Sequence, residues 1–158
     1  MAMENMETPT ALIFSRQNVK SLPEGTDYQQ TRKGAYIVTG SDEQFDVILV
    51  ASGSEVSTCV AGAELLRKDG VKVRVVSAPS EGLFHRQSKE YQEQILPRDA
   101  KIFGLTAGLP VTIEGLVGAN GKVFGLNSFG FSAPYTVLDE KLGFTPENVY
   151  KQVKAFLA

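Results

Sequence analysis

The chain contains no tryptophan, one histidine, one cysteine and no long apolar run. With Cys59 as the lone cysteine, an internal disulfide and a cysteine-based zinc cluster are both excluded, and a reducing compartment suits it. The longest nearly apolar stretches, such as residues 47–51, are strand-sized and fall far short of the roughly 20 residues that span a bilayer. Charge of one sign is also lacking. Sixteen Lys and Arg against eighteen Asp and Glu leave a net charge of −2, without the clustered basic excess that nucleic acid or an anionic membrane surface requires. Residues 1–8 carry no basic stretch followed by an apolar one, so a secretory leader is not expected and the expected setting is the cytoplasm. What remains is a globular balance: 158 residues, 42% hydrophobic and 22% charged, which is the size of one domain.

Short β-rich runs alternate with helical periods. Residues 11–14 (ALIF) form a brief apolar run ending at Ser15-Arg16-Gln17, and residues 18–33 read as a polar linker carrying Pro23 and Gly25. Strands are expected at 35–39 and 46–51, separated by a turn at 40–43. The run DVILVA at 46–51 is continuously apolar after its Asp, as in a strand covered on both faces. A helical period follows with Val56, Cys59, Val60, Ala63 and Leu66 on one face, ended by Gly70, and then a strand at 71–77. Strand, helix and strand at this spacing make a parallel crossover.

Further on, Ser88 caps a helix to Leu96, strands follow at 101–106 and 122–126, and a short helix at 109–117 is weakened by Gly115. The last two helices are expected from 132 to Leu142, closed by Gly143, and after Thr145-Pro146 with Val149, Val153, Phe156 and Leu157 inward. The sum is a three-layer α/β/α sandwich with a mostly parallel five-stranded sheet.

Candidate chemistry is sparse. Ser52, Gly53, Ser54 and Glu55 lie where a strand meets a helix N-terminus, an arrangement that offers N–H groups to an anion. The competing reading is a capping box, in which Ser52 accepts from the N–H of Glu55 and Glu55 reaches back; it is preferred, because a dinucleotide fingerprint needs three glycines and one is present. His85 reads as a surface residue in a loop without a partner carboxylate, and Cys59 as core. The glycine-linked runs 116–118 and 129–131 read as close packing, with a partner surface as the alternative. Neither a metal-ligand cluster nor a phosphate-binding loop nor a nucleophile elbow is present.

A set of ordered segments carries more information: 9–18 (PTALIFSRQN), 33–38 (KGAYIV), 46–56 (DVILVASGSEV), 73–79 (VRVVSAP), 91–97 (YQEQILP), 129–134 (FGFSAP) and 142–149 (LGFTPENV). In this order and spacing they resemble the C-terminal domain of transketolase, preceded by the last strand of that enzyme's pyrimidine-binding domain. The resemblance implies one antiparallel edge strand in the sheet. It divides the chain into a segment from the preceding domain at 1–33 and the C-terminal domain proper at 34–158.

It also implies a parent enzyme that moves two-carbon ketol units between sugar phosphates with thiamine diphosphate and Mg or Ca, as a homodimer. The cofactor-holding domains would lie upstream, so no cofactor, metal or catalytic residue is expected in this chain, which would serve dimer assembly and regulation. Arg16, the arginine of the Ser-Arg-Gln motif, would reach the substrate phosphate in the parent enzyme, and in this chain alone would be a solvated charge. Residues 105–108 (LTAG) depart from the family's Val-Glu-Ala-Gly, and an aromatic pattern near 110–115 is missing. The alternatives are an independent anion- or nucleotide-binding module and one subunit of a split thiamine-diphosphate enzyme.

Overall fold

The computed structural model describes residues 2–24, 26–40 and 44–158. Strands β1 (Tyr36–Thr39), β2 (Val47–Ala51), β3 (Val73–Ser77), β4 (Ile102–Leu105) and β5 (Lys122–Phe124) form one sheet in the order β1-β3-β2-β4-β5. β2 runs parallel to β3 and β4, and β5 parallel to β4; edge strand β1 is antiparallel to β3. The described helices are α1 (Glu55–Lys68), α2 (Glu81–His85), α3 (Lys89–Ile95), α4 (Glu114–Val117), α5 (Tyr135–Leu142) and α6 (Pro146–Leu157).

The layering follows from β2, whose five residues are each at most 1% exposed. Val47, Leu49 and Ala51 face a core closed by α1 and α6, where Val56, Cys59, Ala63, Leu66, Val149 and Val153 are buried. Ile48 and Val50 face the opposite core, closed by Phe84 of α2, Ile95 of α3 and Leu116 and Val117 of α4. A strand buried on both faces needs apolar residues at every position, and VILVA provides them. Two glycines make the layers fit. Gly62 lets α6 lie close on α1, since a side chain there would meet Val149 Cγ1 at 2.8 Å, and a Cβ on Gly104 of β4 would meet Ile113 Cδ1 at 2.7 Å.

Capping sets the helix ends. The hydroxyls of Ser80, Ser88 and Thr145 accept the backbone N–H groups of Leu83, Tyr91 and Asn148, and Pro146 takes the first turn of α6, where its missing N–H costs nothing. Gly70 and Gly143 follow α1 and α5 with φ of +79° and +83°. Among the described residues, one charge is buried in the sheet. Arg74 of β3 donates from Nη1 to the carbonyls of Gln94 (2.9 Å) and Ile95 (3.3 Å) at the end of α3, and its guanidinium lies 4.2 Å from the centroid of the Phe45 ring. A cation at a helix C-terminus complements the dipole there.

Several expectations are corrected. Residues 11–14 form no strand: they pair with none of the described strands, and Leu12, Ile13 and Phe14 are exposed. The linker closes with a 3-10 turn at Tyr28–Lys33. The helix expected at 109–117 is split into a 3-10 turn at Pro110–Thr112 and the single turn of α4. His85 ends α2, started by the Ser80 cap, rather than sitting in a loop. Phe129 and Phe131 are exposed instead of packed. Apart from Gly40, the turn expected at 40–43 lies outside the described residues.

Gly62 provides a direct test of the α1–α6 contact. In an unconstrained helix, replacing Gly with Leu stabilises by up to about 1 kcal/mol. Here Gly62→Leu is expected to lower the unfolding free energy by about 2 kcal/mol in urea titration, because Val149 must move. A more stable variant would contradict the close approach.

Candidate functional site

The carboxyl ends of the parallel strands open onto one edge of the molecule, where ligands of open α/β sheets collect. There β2 passes through Ser52, Gly53 and Ser54 into α1, with Gly53 at φ +61°. The first turn is tight: the N–H of Val56 donates to the Gly53 carbonyl at 3.3 Å and that of Ser57 to Ser54 at 3.2 Å. The capping box is not formed. Ser54, not Ser52, is the N-cap residue, and its helical dihedrals (φ −62°, ψ −32°) differ from the extended ones that aim a hydroxyl back at the helix. Its Oγ instead donates to Glu55 Oε1 at 2.7 Å.

Glu55 is the unexpected feature of this edge. The backbone amide of Ala107, in the loop leaving β4, stands near enough to favour the charged form of Glu55. Burial raises its carboxyl above the usual value, Asp139 of α5 adds repulsion, and the hydrogen bonds offset part of the rise. Asp139 is itself raised by burial. The mouth of α1 therefore holds a carboxylate that accepts the Ser54 hydroxyl and competes with an incoming anion for that donor. One turn further along α1, burial and then the charge of Glu55 hold the Cys59 thiol far above its ordinary value, so it stays protonated.

Arg16 lies exposed, but its segment reaches this edge: Ser15 Oγ is 3.5 Å from where a Cβ on Gly53 would stand. The Ser-Arg-Gln motif and the Gly53 turn, far apart in the chain, are thus neighbours in space. Thr106, where the departure at 105–108 falls, accepts the N–H of Gly108 with its hydroxyl at 3.1 Å.

On the other face a groove of about 810 Å³ runs between α2–α3 and α4, with His85, Lys89, Arg98 and Leu116 in its walls. His85 does have a carboxylate partner: its Nε2 stands 3.1 Å from Glu81 Oε1, one helical turn away. Gly115 leaves the space that Glu81 occupies, because a Cβ there would overlap Glu81 Oε1. The i, i+4 spacing of Glu81 and His85 was readable, had α2 been recognised from its Ser80 cap. Ser, Thr, Cys and Tyr side chains are absent from the groove walls, so the pair has no hydroxyl or thiol to activate there. Among the described residues no group of three or more His, Cys, Asp or Glu could hold a metal ion, and no helix is long and apolar enough to cross a membrane.

The Glu55 geometry carries a signed pH dependence. A carboxyl raised on folding adds stability that is complete at acid pH and is lost as pH rises through the raised value. Relative to Glu55→Gln, the unfolding free energy of the wild-type chain should therefore fall as pH goes from about 4 to about 7. Urea titrations across that range check it, and a Glu55 carboxyl titrating by NMR at or below the usual glutamate value would contradict the burial described.

The family model described as "Transketolase-like TK C-terminal domain" matches residues 34–145. Transketolase from Staphylococcus epidermidis is 44% identical over 158 aligned residues, covering 98% of this chain and 24% of that protein. Transketolase 2 from Vibrio parahaemolyticus is 42% identical, covering 100% of this chain and 24% of that protein. This chain thus spans about a quarter of the length of these relatives. Among solved structures, a Pichia stipitis transketolase superposes with a TM-score of 0.82 at 32% identity, over 90% of this chain and 20% of that one. A split-gene transketolase described as an inactive β4 tetramer matches with a TM-score of 0.67 at 18% identity, over 90% of this chain and 48% of that one, a likeness of fold alone. With more than half of its length matched by the family model, on a mostly parallel five-stranded sheet with the expected antiparallel edge strand, the chain belongs to the transketolase C-terminal domain family.

Proposed function

We propose that this chain is the scaffold quarter of a transketolase: the domain formed by residues 34–158, with residues 1–33 leading in from the preceding domain, which supports ketol transfer between sugar phosphates without carrying out its chemistry. The observation that carries this reading is the proportion of the match. Nearly the whole chain aligns with transketolase, yet it covers 24% of the enzyme. The parent enzyme would draw its carbanion chemistry from thiamine diphosphate with Mg or Ca, held by the other domains of a cytoplasmic homodimer, and this domain would contribute to dimer assembly.

The donor set described here does not fit that cofactor. A diphosphate bound through a divalent metal needs converging carboxylate or amide oxygens and free N–H groups. The strand-to-helix mouth on this edge already holds the Glu55 carboxylate on the Ser54 hydroxyl. No step is therefore routed through the cofactor in this chain. For the same reason, regulation by an anion at residues 52–55 would require Glu55 to move aside.

Arg16 is the residue proposed to touch substrate in the complete enzyme, because a guanidinium forks onto phosphate oxygens in a way a single ammonium does not. Its exposure here and the nearness of Ser15 to the Gly53 turn support a role at the junction with the rest of the enzyme.

The purified chain, supplied with thiamine diphosphate, Mg²⁺, a phosphorylated ketose donor and an aldose phosphate acceptor, is expected to give no turnover above the protein-free blank. Measurable ketol transfer by the chain alone would overturn the scaffold reading. In a transketolase carrying this chain as its C-terminal quarter, Arg16→Ala should raise KM for phosphorylated donors about 10-fold or more, as expected for loss of a charge-assisted hydrogen bond, with little change for unphosphorylated donors. Equal effects on both donors would remove Arg16 from the phosphate.

A further inference from the structure

The turn that feeds β5 carries a reactive pair of residues. Of the chain's five asparagines, Asn120 is the one followed by glycine; Met6, Val19, Ser128 and Val149 follow the others. Residues 118–121 make a turn closed by the N–H of Gly121, which donates to the Gly118 carbonyl at 3.3 Å, longer than a well-formed N–H···O bond. Asn120 is exposed, and among the described residues none bonds its side-chain amide. Asn148, by contrast, donates from Nδ2 to the Gly143 carbonyl at 2.8 Å, and the N–H of Val149 is held by the Thr145 carbonyl at the start of α6. The fold itself demands the glycine at 121. A Cβ there would overlap Val117 Cγ1 and stand 2.6 Å from the Ile102 carbonyl oxygen, so the residue after Asn120 has no side chain to shield its nitrogen.

We propose that Asn120 is a self-modification site, at which the chain deamidates by way of a cyclic imide and so loosens β5. The backbone nitrogen of Gly121, having lost its proton to hydroxide, attacks Asn120 Cγ. A Cγ–N bond forms, the Cγ–Nδ2 bond breaks, and Nδ2 takes up a proton and leaves as ammonia. Water then opens the five-membered ring at either carbonyl. One opening leaves aspartate; the other leaves isoaspartate, in which the main chain runs through the side-chain carbon. Hydroxide and water are the only reagents consumed. The position of the site decides what the product does. Isoaspartate lengthens the main chain by one atom just before Gly121, which is wedged against Val117 and Ile102 and has no room to absorb it. The next residue, Lys122, opens β5 by pairing with Phe103, and its Nζ donates to Gln152 Oε1 at 2.9 Å. The displacement therefore passes into β5, whose three half-buried residues hold it weakly to β4.

Peptide mass spectrometry of the purified chain, aged at neutral and at mildly alkaline pH, tests this. The peptide containing Asn120 is expected to show the mass gain of amide-to-acid conversion at least tenfold faster than those containing Asn5, Asn18, Asn127 or Asn148. The rate should rise in proportion to hydroxide, with isoaspartate exceeding aspartate. Asn120→Gln, a change at an exposed position that leaves a slower six-membered route, should remove the fast conversion from that peptide. In the aged isoaspartate fraction, hydrogen exchange at the amides of residues 122–124 should be at least tenfold faster than in fresh protein, with β2 unchanged. Conversion at Asn120 no faster than at Asn127 would overturn the inference. So would aspartate formed without isoaspartate, an undiminished rate in Asn120→Gln, or β5 amides that exchange alike in fresh and aged protein.

Discussion

Strand β2 must be kept dry on both faces, and much of the architecture answers that demand. Its five apolar residues cannot be covered by one layer, so α1 and α6 close one side and α2, α3 and α4 the other. Burying a side chain of this kind is worth about 1.5–3 kcal/mol, which makes the middle of the sheet the best-anchored part of the fold. The periphery is held by less. β5 has three half-buried residues and α5 has no buried residue, so these elements stay near the low end of local stability, where loops and docking surfaces are drawn from.

Two charged side chains enter this apolar frame and are treated differently. Arg74 is fully buried, and its charge is met by the carbonyls that end α3 and by the Phe45 ring, so it fastens a helix to the sheet. Glu55 is half-buried at the rim, where the Ser54 hydroxyl holds it and Asp139 opposes it. The first arrangement stabilises a position. The second leaves a titratable group at the opening of the first helix.

Much of this was legible before the structure. The VILVA run, the crossover spacing, the Thr145-Pro146 start of α6 and the glycines after α1 and α5 are local signals whose physics does not depend on distant contacts, and they were read correctly. The misses have a common origin in tertiary context. Ser52 and Ser54 are equivalent in sequence, and which of them stands at the cap is set by where the helix begins, at Glu55. His85 looked solitary because a five-residue helix leaves too short a period to detect, and its pairing with Glu81 depends on that helix. The segment 11–14 has the composition of a strand, but a strand is a relation between two stretches of chain, and composition cannot supply the second.

Cys59 gives the molecule a property beyond packing. Its sulfur has no exposure, lies on the inner face of α1 and is held as the thiol, so an alkylating reagent meets it when that helix lifts from the sheet and at no earlier stage. Being the sole cysteine in the chain, it has no competitor for the label. The protein thus contains its own clock for the opening of its tightest layer, and the rate at which the sulfur is modified measures how often the central strand is laid bare.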